Sequence, residues 1–356
     1  ITTKKGATNG LYFILNAQGG LPSVQDYGNE DGPVRFGGDI TAHYKTGKWN
    51  GSLSANYRRD DLAGYREGEA ETYLNSITAT FPSLGERSYE SYTYSVKGIV
   101  NYQISEFNSV EAGFYAGKRS QFRTADIVYR QQRIHSATHE VLDSFDYFNK
   151  NFRERKGDFL VSNLDFSHAF GNKSLLTLSA LYEKTVLGGP TKNKDVNPEQ
   201  PERLYNDAAM EEDNPLDGAR FKADYILPVN KKGKLEAGYQ YRYLLHKGTF
   251  IYNEWNATSA TWFVRPALSN KIELTRHIHA VYGQYADEVG KLHYSGGLRL
   301  EYVDRILVDD GTPAPYTFER VNVFPSANVL YLPGNNYKLK AGYSRRIAHT
   351  TSNMMN

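Results

Sequence analysis

The strongest signal in this chain is a strict alternation of apolar and polar positions, the period-two mark of strands with two unlike faces. Across 234–247 one face reads Leu235, Ala237, Tyr239, Tyr241, Tyr243 and Leu245, and the other reads Glu236, Gly238, Gln240, Arg242, Leu244 and His246. The same split sets Val110, Ala112, Phe114 and Ala116 against Glu111, Gly113, Tyr115, Gly117 and Arg119. It returns in Leu298, Leu300 and Tyr302 against Arg299 and Glu301, and in Phe221, Ala223, Tyr225 and Leu227 against Arg220, Lys222 and Asp224. A soluble sandwich also alternates, but its inward positions hold Val, Ile and Leu, not Ala, Gly and Tyr. Here one face suits lipid and the other water. A one-residue slip would turn Glu236 and Arg242 toward lipid, costing about 2–4 kcal/mol for an arginine at the midplane, so register is well specified.

Counting such segments gives about 13 strands, near 10–19, 33–46, 49–60, 88–104, 108–130, 152–170, 174–188, 217–228, 234–252, 271–289, 291–308, 319–332 and 336–347. The connections alternate in length. Short ones such as 46–48, 105–107, 171–173, 229–233, 289–290 and 333–335 separate long ones at 20–32, 61–87, 131–151, 189–216, 253–270 and 309–318. Tight periplasmic turns and long extracellular loops give that beat in an outer-membrane barrel. The expected fold is therefore all-β, a transmembrane antiparallel β-barrel, with residues 10–349 as its wall. The loops 61–87 and 189–216, rich in charge, Pro, Gly and Asn, read as surface loops. Several strands exceed the roughly 9–11 residues needed to cross a bilayer, so the sheet is expected to rise above the membrane on the loop side. Thirteen strands would put the two ends of the wall on opposite sides of the membrane, whereas single-chain bacterial barrels use even numbers. The expectation is an incomplete wall.

Composition sharpens this picture. The chain has 28 Tyr and 17 Phe against 3 Trp and 3 Met, and tyrosine suits the hydrocarbon–water boundary where barrels carry aromatic girdles. No stretch approaches the roughly 18 apolar residues of a spanning helix, so a membrane reading must be a β reading. With no cysteine, disulfides, cysteine nucleophiles and thiolate metal sites are excluded. The formal net charge of +2 is spread along the chain, which leaves no basic stripe for nucleic acid. The first residues, Ile1 to Gly6, lack the apolar core of a signal peptide, so the chain is expected to start after processing or inside a longer protein.

Candidate chemistry is sparse. His277 and His279 share one strand face, and His135 and His139 would share one only on a helix. Neither pair has a third ligand, so the reading is solvated or lumen histidine, with no metal and no cofactor. No nucleophile elbow, zinc-protease or phosphate-loop motif occurs. Ser162 and His168 share a face but stand about 20 Å apart along a strand, too far for proton transfer, so no catalytic residue is expected. The acidic run 211–214 with Asp217, and Asp309-Asp310, lack calcium-loop spacing and read as solvated loops. Candidate ligand contacts are the loop tryptophans Trp255 and Trp262, with membership of the outer aromatic girdle as the plainer alternative. Arg119, Arg242 and Arg299 on the polar face are the others, although with Glu301 they are expected to pair among themselves or against a plug.

Four segments in order carry a family resemblance: 279–285 (HAVYGQY), 296–302 (GGLRLEY), 324–331 (FPSANVLY) and 342–347 (GYSRRI). Together they resemble the barrel of TonB-dependent receptors, and more narrowly the outer-membrane barrel family common in Bacteroidetes. In that family the Ser-Arg-Arg-Ile segment leads into Arg-Pro; here Ala348 and His349 follow. The resemblance implies that residues 1–9 are the end of a plug domain passing into the barrel, and that 350–356 are a truncated loop or strand start. It implies a barrel of about 22 strands, so that about nine strands and the plug lie outside this sequence. It further implies ligand uptake powered by the TonB energy-transducing complex, reached through an N-terminal region absent here. Outer-membrane lipid and lipopolysaccharide would surround the wall, and there is room for a surface lipoprotein partner. The alternatives are a smaller barrel, passive or enzymatic, and an anchoring barrel without energy coupling.

Overall fold

A computed structural model describes residues 9–20, 34–334 and 337–346. The loop 21–33, the terminal segment 350–356 and all of the expected plug end except Asn9 lie outside the described residues.

Among the described residues, seventeen strands form one antiparallel sheet. They are β1 (Gly10–Gly19), β2 (Arg35–Thr46), β3 (Trp49–Asp60), β4 (Tyr65–Gly68), β5 (Glu71–Leu74), β6 (Ile77–Thr80), β7 (Ser83–Gln103), β8 (Asn108–His135) and β9 (Val141–Ala169). The remainder are β10 (Leu175–Val196), β11 (Leu204–Pro228), β12 (Lys234–Asn256), β13 (Thr261–Val264), β14 (Asn270–Val289), β15 (Leu292–Asp309), β16 (Tyr316–Gly334) and β17 (Tyr337–Ser344). Each of the thirteen segments marked by alternation is present as a strand, and the four additional strands β4, β5, β6 and β13 have four residues each.

The long strands pair in chain order, each with the next. Strand β4 continues the register of β3 on β7, linked by the bridge Leu62↔Tyr89. No register joins β1 to β17 among the described residues.

Register carries each face from strand to strand. Leu15, Ile40, Ala55, Val96, Ala116 and Leu160 stand side by side on the apolar face. Tyr239, Val281, Leu300 and Val323 do the same further along. The aliphatic side chains in these rows point outward, with Leu15 74% exposed and Val281 51%, and a surface that apolar over so many strands fits lipid and not water. The opposite face carries the polar row Asn16, Asp39, Asn56 and Ser95, where Asn16 donates to Asp39 at 2.9 Å and Ser95 donates to Asn56 at 2.6 Å.

Aromatic rings mark both borders of the apolar band. Toward the short turns, Trp49 packs on Tyr102 with centroids 4.3 Å apart and Tyr285 lies 6.2 Å from Tyr294. Toward the loops, Tyr182 donates to Asp217 at 2.7 Å. On the same apolar face Tyr239 and Tyr241 hydrogen-bond His279 and His277, each at 2.8 Å. The two histidines are therefore girdle residues paired with tyrosine, and the expectation of solvated or lumen histidines is corrected. A tyrosine partner satisfies an imidazole at a boundary where water is scarce.

The long connections are shorter than the sequence suggests. Strands β8 and β9 meet across 136–140, and β10 and β11 meet across 197–203. The segments 131–151 and 189–216, whose composition reads as loop, are thus mostly paired strand, and the acidic run 211–214 lies inside β11. Above the membrane both faces are wet, so the alternation that reveals a strand disappears while its backbone ladder continues.

Glycine and tyrosine are coupled in the wall. A Cβ on Gly238 would lie 2.5 Å from the Tyr282 ring, so this ring covers its cross-strand neighbour, and its hydroxyl donates to Asp224. Such rings compensate the missing side chain of a strand glycine.

Leu300 sits on the apolar face between Tyr294 and Tyr302 of its own strand, which sets a test of face assignment. Leu300→Arg should weaken insertion into bilayers by about 2–4 kcal/mol, whereas Gln284→Arg on the opposite face should change it little. Urea titrations of the full-length protein in lipid vesicles measure both, and equal effects would reverse the assignment.

Candidate functional site

The polar face holds two groupings of charge. In the first, Arg299 forms an ion pair with Glu301 at 2.7 Å and donates to Gln240 at 3.0 Å. Arg242 donates to the same Gln240 oxygen at 3.3 Å. The Glu301 side chain is 9% exposed and that of Arg299 26%, so the pair is held largely away from water. Two of the arginines expected to contact ligand, Arg242 and Arg299, are thus brought together through Gln240, and Arg299 is committed to Glu301. Arg119 is separate, exposed on the polar face of β8 between Thr93 and Gly157.

The second grouping lies where β7 to β10 rise toward the loops. A groove of about 720 Å³ opens on the polar face there. Its floor is laid down by direct cross-strand pairs: Tyr89 opposite Arg123, Arg123 opposite Arg153, and Tyr129 opposite Tyr147. Tyr129 and Tyr147 stack with centroids 5.0 Å apart at 14°. One wall is an amide ladder in which Asn149 donates to Asn193 at 2.9 Å and to Asp195 at 2.6 Å, and Asn151 donates to Asn193 at 3.0 Å. Arg66 donates to Ser83 at 3.1 Å, and Arg153 reaches Glu212 at 3.4 Å. The side chains of Arg87, Arg123 and Arg155 make no hydrogen bond or ion pair among the described residues.

Trp255 and Trp262 do not enter this groove. They meet edge to face at 5.7 Å across the β12–β13 pairing, and Trp262 lines a separate pocket with Lys192, Lys194 and Ala209. His135 accepts from the Thr138 backbone N–H at 3.3 Å in the turn after β8, and no cluster of three metal-ligating side chains occurs among the described residues. His168 pairs with Asn108 at 2.7 Å. Asp309 accepts from the Gly311 N–H at 2.9 Å, a turn contact, and Asp310 accepts from the Lys271 N–H at 3.0 Å, a contact across the ends of β14 and β15.

Sequence reasoning missed Arg87 and Tyr147 because they lie in segments whose composition reads as loop, and Arg123, Tyr129 and Arg153, although within expected strands, because the register that brings them together is not displayed in the sequence. The usable signal is the odd-numbered series Arg123, Ala125, Ile127 and Tyr129, which continues the polar-face parity of Glu111 and Arg119.

The first grouping makes a stability prediction. Arg299→Ala removes the ion-pair partner of the nearly buried Glu301 carboxylate and should lower stability by about 3–5 kcal/mol, and adding Glu301→Gln should recover most of it. Denaturant unfolding of the full-length protein measures this, and an unchanged midpoint for Arg299→Ala would exclude a structural role for the pair.

Among solved structures the chain is similar to the ferric citrate transporter FecA in its unliganded form, with 12% identity, a TM-score of 0.46, and coverage of 85% of this chain and 43% of FecA. The chain therefore spans less than half the length of that protein. It is also similar to the toluene transporter TodX of Pseudomonas putida, at 9% identity and a TM-score of 0.30 over 94% of this chain and 84% of TodX. A third likeness, at 10% identity and a TM-score of 0.24, is to the outer membrane protease OmpT of Escherichia coli, over 77% of this chain and 96% of OmpT. No curated protein matches the chain. Residues 165–356, more than half of the chain, match the model of the outer membrane protein beta-barrel family. With an apolar outer face, aromatic borders and a charged inner face, the chain belongs to the outer membrane protein beta-barrel family and resides in the outer membrane.

Proposed function

We propose that this chain is barrel wall of a TonB-dependent receptor of the kind common in Bacteroidetes, taking up a ligand across the outer membrane without catalysing a reaction on it. The observation that carries the reading is the charged inner face, with its half-buried Arg299–Glu301–Gln240 network and the arginine-lined groove above it. A passive path for apolar molecules would call for an apolar lining. The four-segment resemblance supplies the energy-coupled reading, and the family match supports the barrel beneath it.

On this reading the inner face meets a plug domain, lipopolysaccharide and phospholipid surround the apolar band, and a TonB-type complex supplies energy through an N-terminal segment. A surface lipoprotein is a further partner for the loops. The second reading is a passive or anchoring barrel. The gene around this sequence distinguishes them: a plug of about 100–150 residues should precede Ile1 and about nine strands should follow Asn356. A signal peptide directly before Ile1 would sink the receptor reading. The full-length protein should also copurify with a TonB-type periplasmic domain through its N-terminal segment, and a truncation of that segment should abolish copurification.

A further inference from the structure

The groove on the inner face of β7 to β10 gathers like charges of which, among the described residues, Arg153 alone is met by an acid, Glu212 at 3.4 Å. Arg123 and Arg153 stand directly opposite each other, an arrangement that destabilises a strand pair. Arg155 follows Arg153 on the same face of β9, diagonal to Arg123 across the β8–β9 pairing, and the positive charges of both disfavour its own. Arg87 lines the same groove. The acids within reach are few and engaged: Glu212 serves Arg153 and Asn214, and Asp195 accepts from Asn149 and Asn206. Beside this cationic floor lies the flat stacked surface of Tyr129 and Tyr147, and beside that the amides of Asn149 and Asn151.

We propose that this groove binds a carboxylate-bearing ring ligand of the size and chemistry of a short acidic oligosaccharide. Its carboxylates would lie between Arg87, Arg123 and Arg153, where the planar guanidinium can hold a carboxylate by two parallel hydrogen bonds. Its ring faces would rest on Tyr129 and Tyr147, and its hydroxyls would face the amide ladder. The volume suits a ligand of about two or three rings, within the range of small-molecule sites. The inference rests on the polar face being the inside of the barrel, and it names the ligand class of the receptor proposed above.

The test is calorimetric titration of the full-length protein in detergent micelles with trigalacturonate, with maltotriose as a neutral sugar and citrate as a ringless polyanion. Trigalacturonate should bind at least tenfold more tightly than either. Arg123→Gln combined with Arg153→Gln should weaken it at least tenfold, as should Tyr129→Ala, and rising salt should weaken it in the native protein. Lys97→Gln, on the same face but outside the groove, should leave it unchanged and reports on folding. Failure of trigalacturonate to bind, equal binding of maltotriose or citrate, or full binding in the folded double variant would overturn the proposal. Binding in micelles needs no energy source. Lost binding with intact coupling would sink the ligand class alone, whereas binding without TonB copurification would sink the receptor reading alone.

Discussion

The structure depends on one constraint: a backbone in hydrocarbon must have its N–H and C=O groups satisfied by other backbone. Strands meet it only by pairing along both sides, and pairing in turn gives each strand one face to lipid and one to the interior. The meander of β1 to β17 follows from this, because neighbours in sequence are the cheapest partners to bring together. The apolar row from Leu15 to Leu160 and the polar row from Asn16 to Ser95 are the two consequences of the same ladder.

That origin explains what was legible. Alternation exists where lipid wets one face, so Leu235 to Leu245 and Val110 to Ala116 announced their strands and their parity from sequence alone. Where the sheet rises into water, no physical force separates the two faces. Lys192, Lys194 and Asp195, or Glu211 and Asp213, then look like loop composition although each is hydrogen-bonded into a ladder. Length was underestimated there and strand identity was not.

The site was less legible for the same reason. Arg119, Arg242 and Arg299 could be placed on the polar face because the lipid-facing residues beside them fix parity. Whether an arginine is paired can depend on its own strand or on the neighbouring strand's register, and the sequence displays only the first. Arg299 finds Glu301 two positions away on its own strand, whereas Arg123 meets Arg153 only across the β8–β9 pairing. Trp255 and Trp262 look like ligand contacts by type, but the β12–β13 turn places them against each other.

The two arginine groupings show how one residue type serves opposite ends on one wall. At Arg299 a nearly buried carboxylate and an amide oxygen accept from the guanidinium, and removing the arginine takes the ion-pair partner from a carboxylate held away from water. That is a structural use. At Arg123 and Arg153 the cross-strand neighbour repels; Arg153 reaches Glu212, while Arg123 makes no side-chain hydrogen bond or ion pair among the described residues and the nearby amides bond to one another and to Asp195. Solvent screening makes such repulsion tolerable near the wet end of the sheet, and it also leaves the guanidinium donors open to an arriving anion. The difference between a fastened wall and a receptive one therefore lies less in composition than in what stands beside each guanidinium: a carboxylate two positions along the same strand at Arg299, a second arginine across the register at Arg123.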